Sequence, residues 1–441
     1  MSRVLFILII SLCLSILTSS LVSADEVEKP LSLNESITIA IKRSTCIRAA
    51  EYEIKGADYE RKAAATDFLP KLSTEYNYTH FNEAPHMKDW SYTSYPLDVK
   101  MGRQDRYQWN AYLKQPIFTG GALTSSYQIA KLGVDIAKEH WDRAKQDIIL
   151  QVKEAYFVIL KAEKIKKVAI QAVEQVKSHV VVARAFYEEE MIPKNDLLEA
   201  EVRFAQVKQN LIRADNGVQI ATANFNTILR QDVNQSVEVE DILEYYPEVF
   251  SLGDCLKEAL KRRPEMKEVI FNFERAKKTV NLTKSRFFPQ ISLITNYQRM
   301  GDHADLQGNP YEDAESWMIT TLFSWDIWEW GKKHYQVSAG RAKLAQAEEL
   351  KKQVGDAIAL EVKESYLNLR EAEKNIFVAK TAIEQAEENF RLNQERYNEQ
   401  MATTTDVLDA QTLLTEAHKN YYNALSDYHI AKAKLERAVG R

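Results

Sequence analysis

An internal repeat is the sequence feature that most constrains how this chain can fold. The run FLPKLSTEYNY at 68–78 returns as FFPQISLITNY at 287–297, 219 residues later. The shared residues are Phe68, Pro70, Ser73, Asn77 and Tyr78, which correspond to Phe287, Pro289, Ser292, Asn296 and Tyr297. In both places a charged, helix-patterned stretch runs into a proline, which ends a helix, and a short alternating segment follows.

The match extends through both halves of the chain. The same spacing relates Lys42 to Lys261, and after a longer loop in the first copy a spacing of 210 relates Gly121 to Gly331. Self-similarity of this kind indicates a tandem duplication. We assign the first repeat to 25–230, an inter-repeat segment to 231–251, and the second repeat to 252–441, with loops near 79–106 and 298–315.

Residues 1–24 are interpreted as a secretory signal peptide. Arg3 precedes the apolar run VLFILIISLCLSIL, and Val22-Ser23-Ala24 supplies the small residues of a cleavage site. An N-terminal membrane anchor is the alternative, but the apolar run is short for a spanning helix. We expect a mature chain that starts at Asp25 and carries no lipid.

The composition of the chain argues against several classes of function. The net charge of -5 and the lack of a basic stripe argue against nucleic-acid binding. Cys46 and Cys255 suggest neither a disulfide framework nor a metal site. No Ser/His/Asp, Cys/His or phosphate-loop arrangement points to an enzyme. The 13 glycines and 10 prolines are few for 441 residues, which favours long regular elements.

Each repeat has the same predicted order of elements. A helix at about 36–68, or 252–287, stops at the proline; two strands follow, and then a very long helix at about 122–190, or 332–400. A break, MIPKND near 191–195 or MATTTD near 401–405, leads into a return helix of about 35 residues. In each repeat, the helix before the proline and the return helix together match the long helix in length, so they could pack beside it as a coiled coil.

The strands indicate a membrane location. One face of RYQWNAYLKQPIF carries Tyr107, Trp109, Ala111 and Leu113, and one face of SWMITTLFSWDIW carries Trp317, Ile319, Thr321, Phe323, Trp325 and Ile327. Such alternation is typical of transmembrane β-strands, and Trp325, Trp328 and Trp330 would suit an interfacial girdle. The core of a soluble sheet is the alternative. Four strands cannot close a barrel, so eight from a dimer or twelve from a trimer are required, and only the larger ring leaves a comfortable lumen.

Several phrases stand at matching places in the two halves. They are the helix openings LSLNESITIAIKRS and FSLGDCLKEALKRRPEM, the turns FLPKLS, FFPQIS, QPIFTGGA and WDIWEWGKK, and, in the second half, YNEQMATTTDVLDAQ. In this order and spacing the chain resembles the TolC-type outer-membrane efflux protein family (outer membrane factors), over nearly all of the mature sequence.

The resemblance implies a mixed α and β membrane protein. Four β-strands per chain would contribute to a twelve-stranded trimeric outer-membrane β-barrel, continued by a long α-helical coiled-coil tunnel in the periplasm, with a belt formed near 25–35 and 230–252. The implied function is a passive exit duct of a tripartite efflux or type I secretion system. Its partners would be two further copies of the chain, outer-membrane lipid, a periplasmic adaptor (membrane fusion protein) and an inner-membrane pump of RND or ABC type. No cofactor, metal or catalysis is implied.

The resemblance also assigns a role to the two breaks, which we call the tips. In the family the tip meets the adaptor and closes the pore. The docking residues would be Met191, Ile192, Pro193, Met401, Ala402 and Thr403. Family tips often carry a glycine in this turn, and this chain does not, which bears on the geometry of the adaptor contact.

Four acids just after the tips are candidates for the pore constriction. Asp196 and Glu199, like Asp406 and Asp409, are three residues apart and so share a helix face. Threefold symmetry would turn each into a ring of carboxylates, an arrangement that selects cations. The family's constricting acids lie in the DVLDA phrase, which covers Asp406 and Asp409. Capping of helix N-termini is the competing role, favoured for Asp196 and Glu199.

Other interpretations stay open at this point. His80, His86, Met87 and His303 lie in predicted loops and could capture metal, although loop histidines are usually solvated. A periplasmic coiled-coil adaptor or scaffold without a barrel is the competing function, but it should lack paired tryptophan-rich strands. Drugs, metal ions and polypeptides are all compatible cargoes for a duct that takes what its pump delivers.

Overall fold

The computed structural model describes residues 30–89, 97–310 and 312–441. The predicted signal peptide lies outside these residues. The chain divides into two compact units, one running to Ser44 and including Gln146–Leu252 and Lys363–Arg437, the other containing Thr45–Lys145, Gly253–Val362 and Ala438–Arg441. Each unit draws on both repeats, so the compact units do not coincide with the repeats along the chain.

The elements of the two repeats correspond closely. The first repeat contains α1 (Leu33–Arg43), α2 (Thr45–Thr66), β1 (Lys71–His80), β2 (His86–Asp89), β3 (Leu97–Lys100), β4 (Asp105–Phe118), α3 (Ala122–Glu188) and α4 (Lys194–Leu229). The second contains α5 (Leu252–Arg262), α6 (Pro264–Lys284), a 3₁₀ turn (Ser285–Phe287), β5 (Gln290–Gly301), β6 (Glu315–Ser324), α7 (Lys332–Asn398) and α8 (Thr404–Val439). The long helices α3 and α7 each have 67 residues. No helix among the described residues is long and apolar enough to cross a membrane.

The prediction of one unbroken helix before each proline was wrong. Ser44 separates α1 from α2, and Arg263 separates α5 from α6, each with an extended ψ near 130°. In the second repeat the cause is Pro264, whose ring disfavours a helical conformation at the residue before it. Ser44 adopts the same bend without a proline and is buried, as is Arg263. Pro70 and Pro289 do lie directly before β1 and β5, which confirms the predicted helix-to-strand transitions.

Four strands form one antiparallel sheet in the order β1-β4-β5-β6. The hairpins β1·β4 and β5·β6 have equivalent registers, with Asn77 opposite Gln108 in one and Asn296 opposite Met318 in the other. β4 and β5, which come from different repeats, pair in the centre and leave β1 and β6 as edges.

The structure corrects two details of the predicted strands. The loop predicted near 79–106 contains the hairpin β2·β3, and β5 extends to Gly301, into the second predicted loop. Trp325 and Ile327 were placed on a strand face, but β6 ends at Ser324. It ends there because its partner β5 begins at Gln290, the residue opposite Ser324.

The duplication is visible in the backbone as well as in the sequence. Four left-handed positions of the first repeat recur 210 residues later: Gly120, Gly121, Glu190 and Arg230 correspond to Trp330, Gly331, Gln400 and Gly440. Non-glycine residues adopt this conformation at some energetic cost, so its recurrence at equivalent turns reflects a shared chain path.

The inter-repeat segment is held by side chains rather than by regular structure. Residues 231–251 contain no helix or strand, and Val239 forms an isolated parallel bridge with Leu31. The hydroxyl group of the fully buried Tyr156 lies 3.0 Å from the carbonyl oxygen of Leu31 and 2.9 Å from that of Glu240. Burial raises the pKa of this phenol, so Tyr156 stays a neutral hydrogen-bond donor that ties both segments to α3.

Candidate functional site

The two long helices end in the same way. At the first tip the amide of Met191 donates to the carbonyl of Phe186, and the amide of Glu190 donates to Tyr187; at the second, Met401 and Gln400 repeat both bonds. These are Schellman motifs, in which glycine usually fills the left-handed position. Here Glu190 has φ 56° and Gln400 has φ 59°. The glycine that family tips often carry is thus absent from the sequence, but the turn that it would favour is present.

The helices that leave the tips begin differently. Pro193 is the N-cap of α4 and offers no side-chain hydrogen bond. At the second tip, the Asp406 carboxylate accepts a hydrogen bond from the Thr403 amide at 2.8 Å, and the Asp406 amide donates to the Thr403 hydroxyl. This reciprocal pair is a capping box. The hydrogen bond from the Thr403 amide, followed by that from its hydroxyl, lowers the pKa of Asp406.

The predicted docking residues lie at the surface of adjacent turns. Met191 and Met401 are more than half exposed. The side-chain nitrogen Nε2 of Gln400 lies 3.5 Å from the sulfur of Met191, so the two tips are in contact. Ile192 and Ala402 are partly covered, and Ile192 packs on the cluster of Val180, Ala183, Leu197 and Ala200 beneath the first tip. Exposed methionines on a small apolar surface can adapt to a partner.

The four predicted acids differ in their surroundings. Both carboxylate oxygens of Glu199 lie 3.2 Å from the Thr405 hydroxyl, which places the starts of α4 and α8 side by side. Asp409 is largely exposed and lies 3.9 Å from Arg203 of α4. Asp196 accepts a hydrogen bond from the Asn195 amide group at 2.9 Å. Asp406 thus caps the start of α8, and Asp409 has the less constrained carboxylate of the two.

Sequence reasoning missed a buried aromatic cluster below the second tip. The rings of His179 and Tyr397 are 4.7 Å apart, Phe186 lies 5.5 Å from Tyr397, and Thr404 donates to the Tyr397 hydroxyl at 3.3 Å. His179 is buried, its Nε2 atom has no hydrogen-bond partner among the described residues, and burial lowers its pKa to about 4. The recurrence of Tyr187 as Tyr397 was a signal for one member of this cluster, but nothing local marked His179.

Comparison with known proteins identifies relatives of both repeats. The model of a family described as outer membrane efflux proteins matches residues 37–229 and 255–441. The outer membrane protein TolC of Escherichia coli (strain K12) is 23% identical over 252 residues, which cover 51% of this chain and 51% of that protein. TolC of Vibrio cholerae is 24% identical over 324 residues, 69% of this chain and 70% of that protein. The match therefore spans about half the length of the first relative.

The fold resembles a solved outer-membrane protein over a greater length. The crystal structure of VceC from Vibrio cholerae aligns with a TM-score of 0.78 and 17% identity, covering 92% of this chain and 96% of that one. At such low identity the likeness concerns the fold, in which long helices accompany a small β-sheet.

Proposed function

The chain belongs to the outer membrane efflux protein family and is an outer-membrane protein, and from this premise we propose that it is the trimeric exit duct of a tripartite export system. Three copies would form a twelve-stranded barrel continued by a coiled-coil helical tunnel. The duct would perform no catalysis and would pass what an inner-membrane pump and a periplasmic adaptor deliver. An efflux pump and a type I secretion system are both compatible with this role.

The exposure of the sheet is the observation that carries the proposal. On the central strands β4 and β5, Leu113 and Leu293 of the apolar face are 40% and 36% exposed. On the opposite face Asn110 is 1% exposed, and Asn296 is buried too. A sheet of a water-soluble domain buries its apolar face, whereas a membrane barrel turns that face to lipid and its polar face to the lumen.

The sheet edges support closure by further copies. β1 and β6 each have a partner on one side within the chain. In lipid an unpaired edge leaves several backbone groups without hydrogen bonds, and each costs several kcal/mol, on the order of 2–7. Closing the edges between three chains would satisfy these groups and leave an aqueous lumen.

Equivalent residues of the two repeats support a helical interface between copies. Val168 on α3 is 6% exposed, whereas its equivalent on α7, Val378, is 68% exposed. In the opposite sense, Leu408 on α8 is 3% exposed and packs against Val176 of α3, whereas its equivalent Leu198 on α4 is 47% exposed. The contact of α3 with α8 would thus recur as a contact of α7 with α4 of the next copy.

Fractionation and mass measurement test the proposal. The protein should be found in the outer-membrane fraction, require detergent for extraction, and have a protein mass in light scattering close to three times that of one chain. Incorporated into planar bilayers, it should conduct ions as single channels. A detergent-independent monomer without channel activity would instead favour a periplasmic adaptor or scaffold and would refute the duct.

The tips predict how the closed pore treats cations. We propose that Asp409 forms the main carboxylate ring, because Asp406 is engaged in its capping box and Glu199 in a contact with Thr405. Asp409→Asn should weaken block by a multivalent cation added on the tip side and reduce cation selectivity. A ring of crowded carboxylates attracts multivalent cations, and the substitution removes three carboxylates from the trimer and so lowers that attraction.

The matched variants separate the pore role from the capping role. Asp406→Asn should chiefly loosen the start of α8, and Asp196→Asn with Glu199→Gln should change block less than Asp409→Asn does. Single-channel currents at several cation concentrations give the comparison. Unchanged block in Asp409→Asn would place the constriction away from this residue.

A further inference from the structure

Two lysines face each other across the β1·β4 hairpin. Lys71, the first residue of β1, lies directly opposite Lys114 of β4. Both side chains are exposed, and neither has an ion-pair partner among the described residues. Like charges at directly opposed positions of an antiparallel pair destabilise it, so the hairpin folds in spite of this pair rather than because of it.

The second repeat shows that the fold does not require this charge. Gln290 and Ser324 are the equivalents of Lys71 and Lys114, and they lie opposite each other in the same register of β5·β6. The two hairpins share their backbone geometry but differ in charge at this pair. Folding of the hairpin therefore does not account for the lysines.

Alternation along the strands places both lysines on the polar face of the sheet. Lys114 shares its face with Tyr112 and the buried Asn110, because these residues are separated by even intervals. The nearest acid on this face of β1 is Glu75, four residues along the strand, or about 13 Å at 3.3 Å per residue. The lysine pair at this end of the sheet is therefore not neutralised by the strands that carry it.

We propose that Lys71 and Lys114 form an anion-binding girdle inside the barrel, at the end where the helices join the strands. The proposal rests on the proposed duct, because only a closed barrel places the polar face around a lumen. Three chains would contribute six ammonium groups. They would take multivalent anions, such as solutes that carry phosphate or several carboxylates. In a lumen with low-dielectric walls, charge of one sign raises the local concentration of such ions.

The second repeat supplies the matched substitutions for a test. Lys71→Gln with Lys114→Ser installs the pair already present at Gln290 and Ser324. Lys42→Gln with Lys261→Gln removes the same number of exposed lysines from α1 and α5 and serves as the control. Channels are measured in planar bilayers, with inorganic tripolyphosphate added on the barrel side and, separately, with a KCl gradient.

The girdle predicts a defined change in block and selectivity. The lysine-pair variant should need at least about tenfold more tripolyphosphate for half-block, the factor that corresponds to about 1.4 kcal/mol, or one charge-assisted contact. Its reversal potential should shift toward cation selectivity, while the control stays like the wild type. The single variants, Lys71→Gln and Lys114→Ser, should each give part of the effect and keep the test valid if the double variant misfolds.

Several outcomes would overturn the girdle. Equal block in the wild type and the lysine-pair variant, or an equal loss in the control, would remove the site while leaving the duct intact. An effect confined to bilayers that contain anionic lipid would place the lysines against lipid headgroups rather than in the lumen. A wild-type protein that forms no channel would refute the proposed duct, and the girdle with it.

Discussion

Oxidation is expected to convert a Thr79→Cys/Thr320→Cys variant into a covalent trimer. The variant would carry Cys46→Ser and Cys255→Ala, so that the new thiols are the reactive pair among the described residues. Within each chain these two positions lie on opposite edge strands of the sheet, β1 and β6. A bond between them therefore joins neighbouring copies, and a closed ring of three copies gives a trimer as the largest product.

The register of this bond follows from the duplication. Inside one chain the second strand of the first repeat pairs with the first strand of the second repeat, and Asn110 lies opposite Gln298. Moving Asn110 forward by 210 residues gives Thr320, and moving Gln298 back by 219 gives Thr79. The same operation places Phe323 opposite Tyr76, which keeps apolar side chains on one face. A slip by one residue would turn every side chain of β6 to the wrong face.

Distance makes the experiment sensitive to register. Directly opposed residues of antiparallel strands have Cα atoms about 4.5–5.5 Å apart, within the range that a disulfide bridges. Asn77→Cys with Thr320→Cys keeps both thiols on the same face but displaces one by two residues, to a diagonal separation of about 7–8 Å. Non-reducing electrophoresis should show a covalent trimer for Thr79→Cys/Thr320→Cys and little covalent trimer for Asn77→Cys/Thr320→Cys.

Each alternative result has a distinct meaning. Cross-linking of the displaced pair alone would shift the register by two residues and leave the trimer standing. A protein that is trimeric by light scattering but cross-links with neither pair would show that β1 and β6 do not meet in this way. A monomer in detergent would contradict the closed barrel itself.

Much of the architecture could be predicted because the determining signals are local. Pro70 and Pro289 fix the helix-to-strand transitions, since proline can neither donate the helical hydrogen bond nor fit the preceding turn. Gly121 and Gly331 adopt positive φ at the equivalent strand-to-helix turns. The bend at Ser44 could not be predicted in the same way, because no proline or glycine marks it in the sequence.

The candidate site was less predictable than the fold. The spacing of Asp406 and Asp409 correctly places both on one exposed helix face, but spacing does not distinguish a cap from a pore acid. The structure shows the capping contact of Asp406, a hydrogen bond from the Thr403 amide, and this contact depends on the turn rather than on the spacing. The contact of Asp409 with Arg203 joins helices of different repeats, and a local pattern carries no information on such a pair.

Acidification is expected to weaken the packing beneath the second tip through His179. The ring is buried against Tyr397, and burial lowers the pKa of His179 from its ordinary value of about 6.5 to about 4. Among the described residues, the titratable side chain of α7 in contact with this ring is that of Tyr397, and Thr404 of α8, which bonds to Tyr397, is neutral. Burial alone accounts for the lowered pKa of His179. The unfolded chain therefore binds the proton first as the pH falls.

The sign of this linkage fixes the pH window. The contribution of a neutral, buried His179 is complete above about pH 6.5 and is lost progressively as the pH falls toward 4. Each unit of pKa difference between the folded and unfolded chains corresponds to about 1.4 kcal/mol, so the free energy of unfolding falls by an amount on the order of 3 kcal/mol.

His140 should behave in the opposite sense. Burial acts to lower its pKa, but hydrogen bonds to Glu53 and Glu268 outweigh burial and raise it. Its stabilisation is complete below the unfolded pKa and is lost as the pH rises.

The pH-dependent loss of stability is measured by thermal melting, followed by the helical circular-dichroism signal in detergent at several pH values between 7.5 and 4.5. Carboxylates also titrate in this range, so the informative quantity is the difference in stability between the wild type and His179→Phe. The phenylalanine keeps an aromatic ring beside Tyr397 but cannot bind a proton. The wild type should lose more stability than His179→Phe below pH 6.5, and the difference should grow toward pH 4.5. His140→Gln should retain the acid-dependent loss, because its carboxylate contacts act at the other end of the range. Parallel melting curves for the wild type and His179→Phe would show that His179 binds a proton equally well in the folded and unfolded chains, which would contradict the lowered pKa of the buried ring.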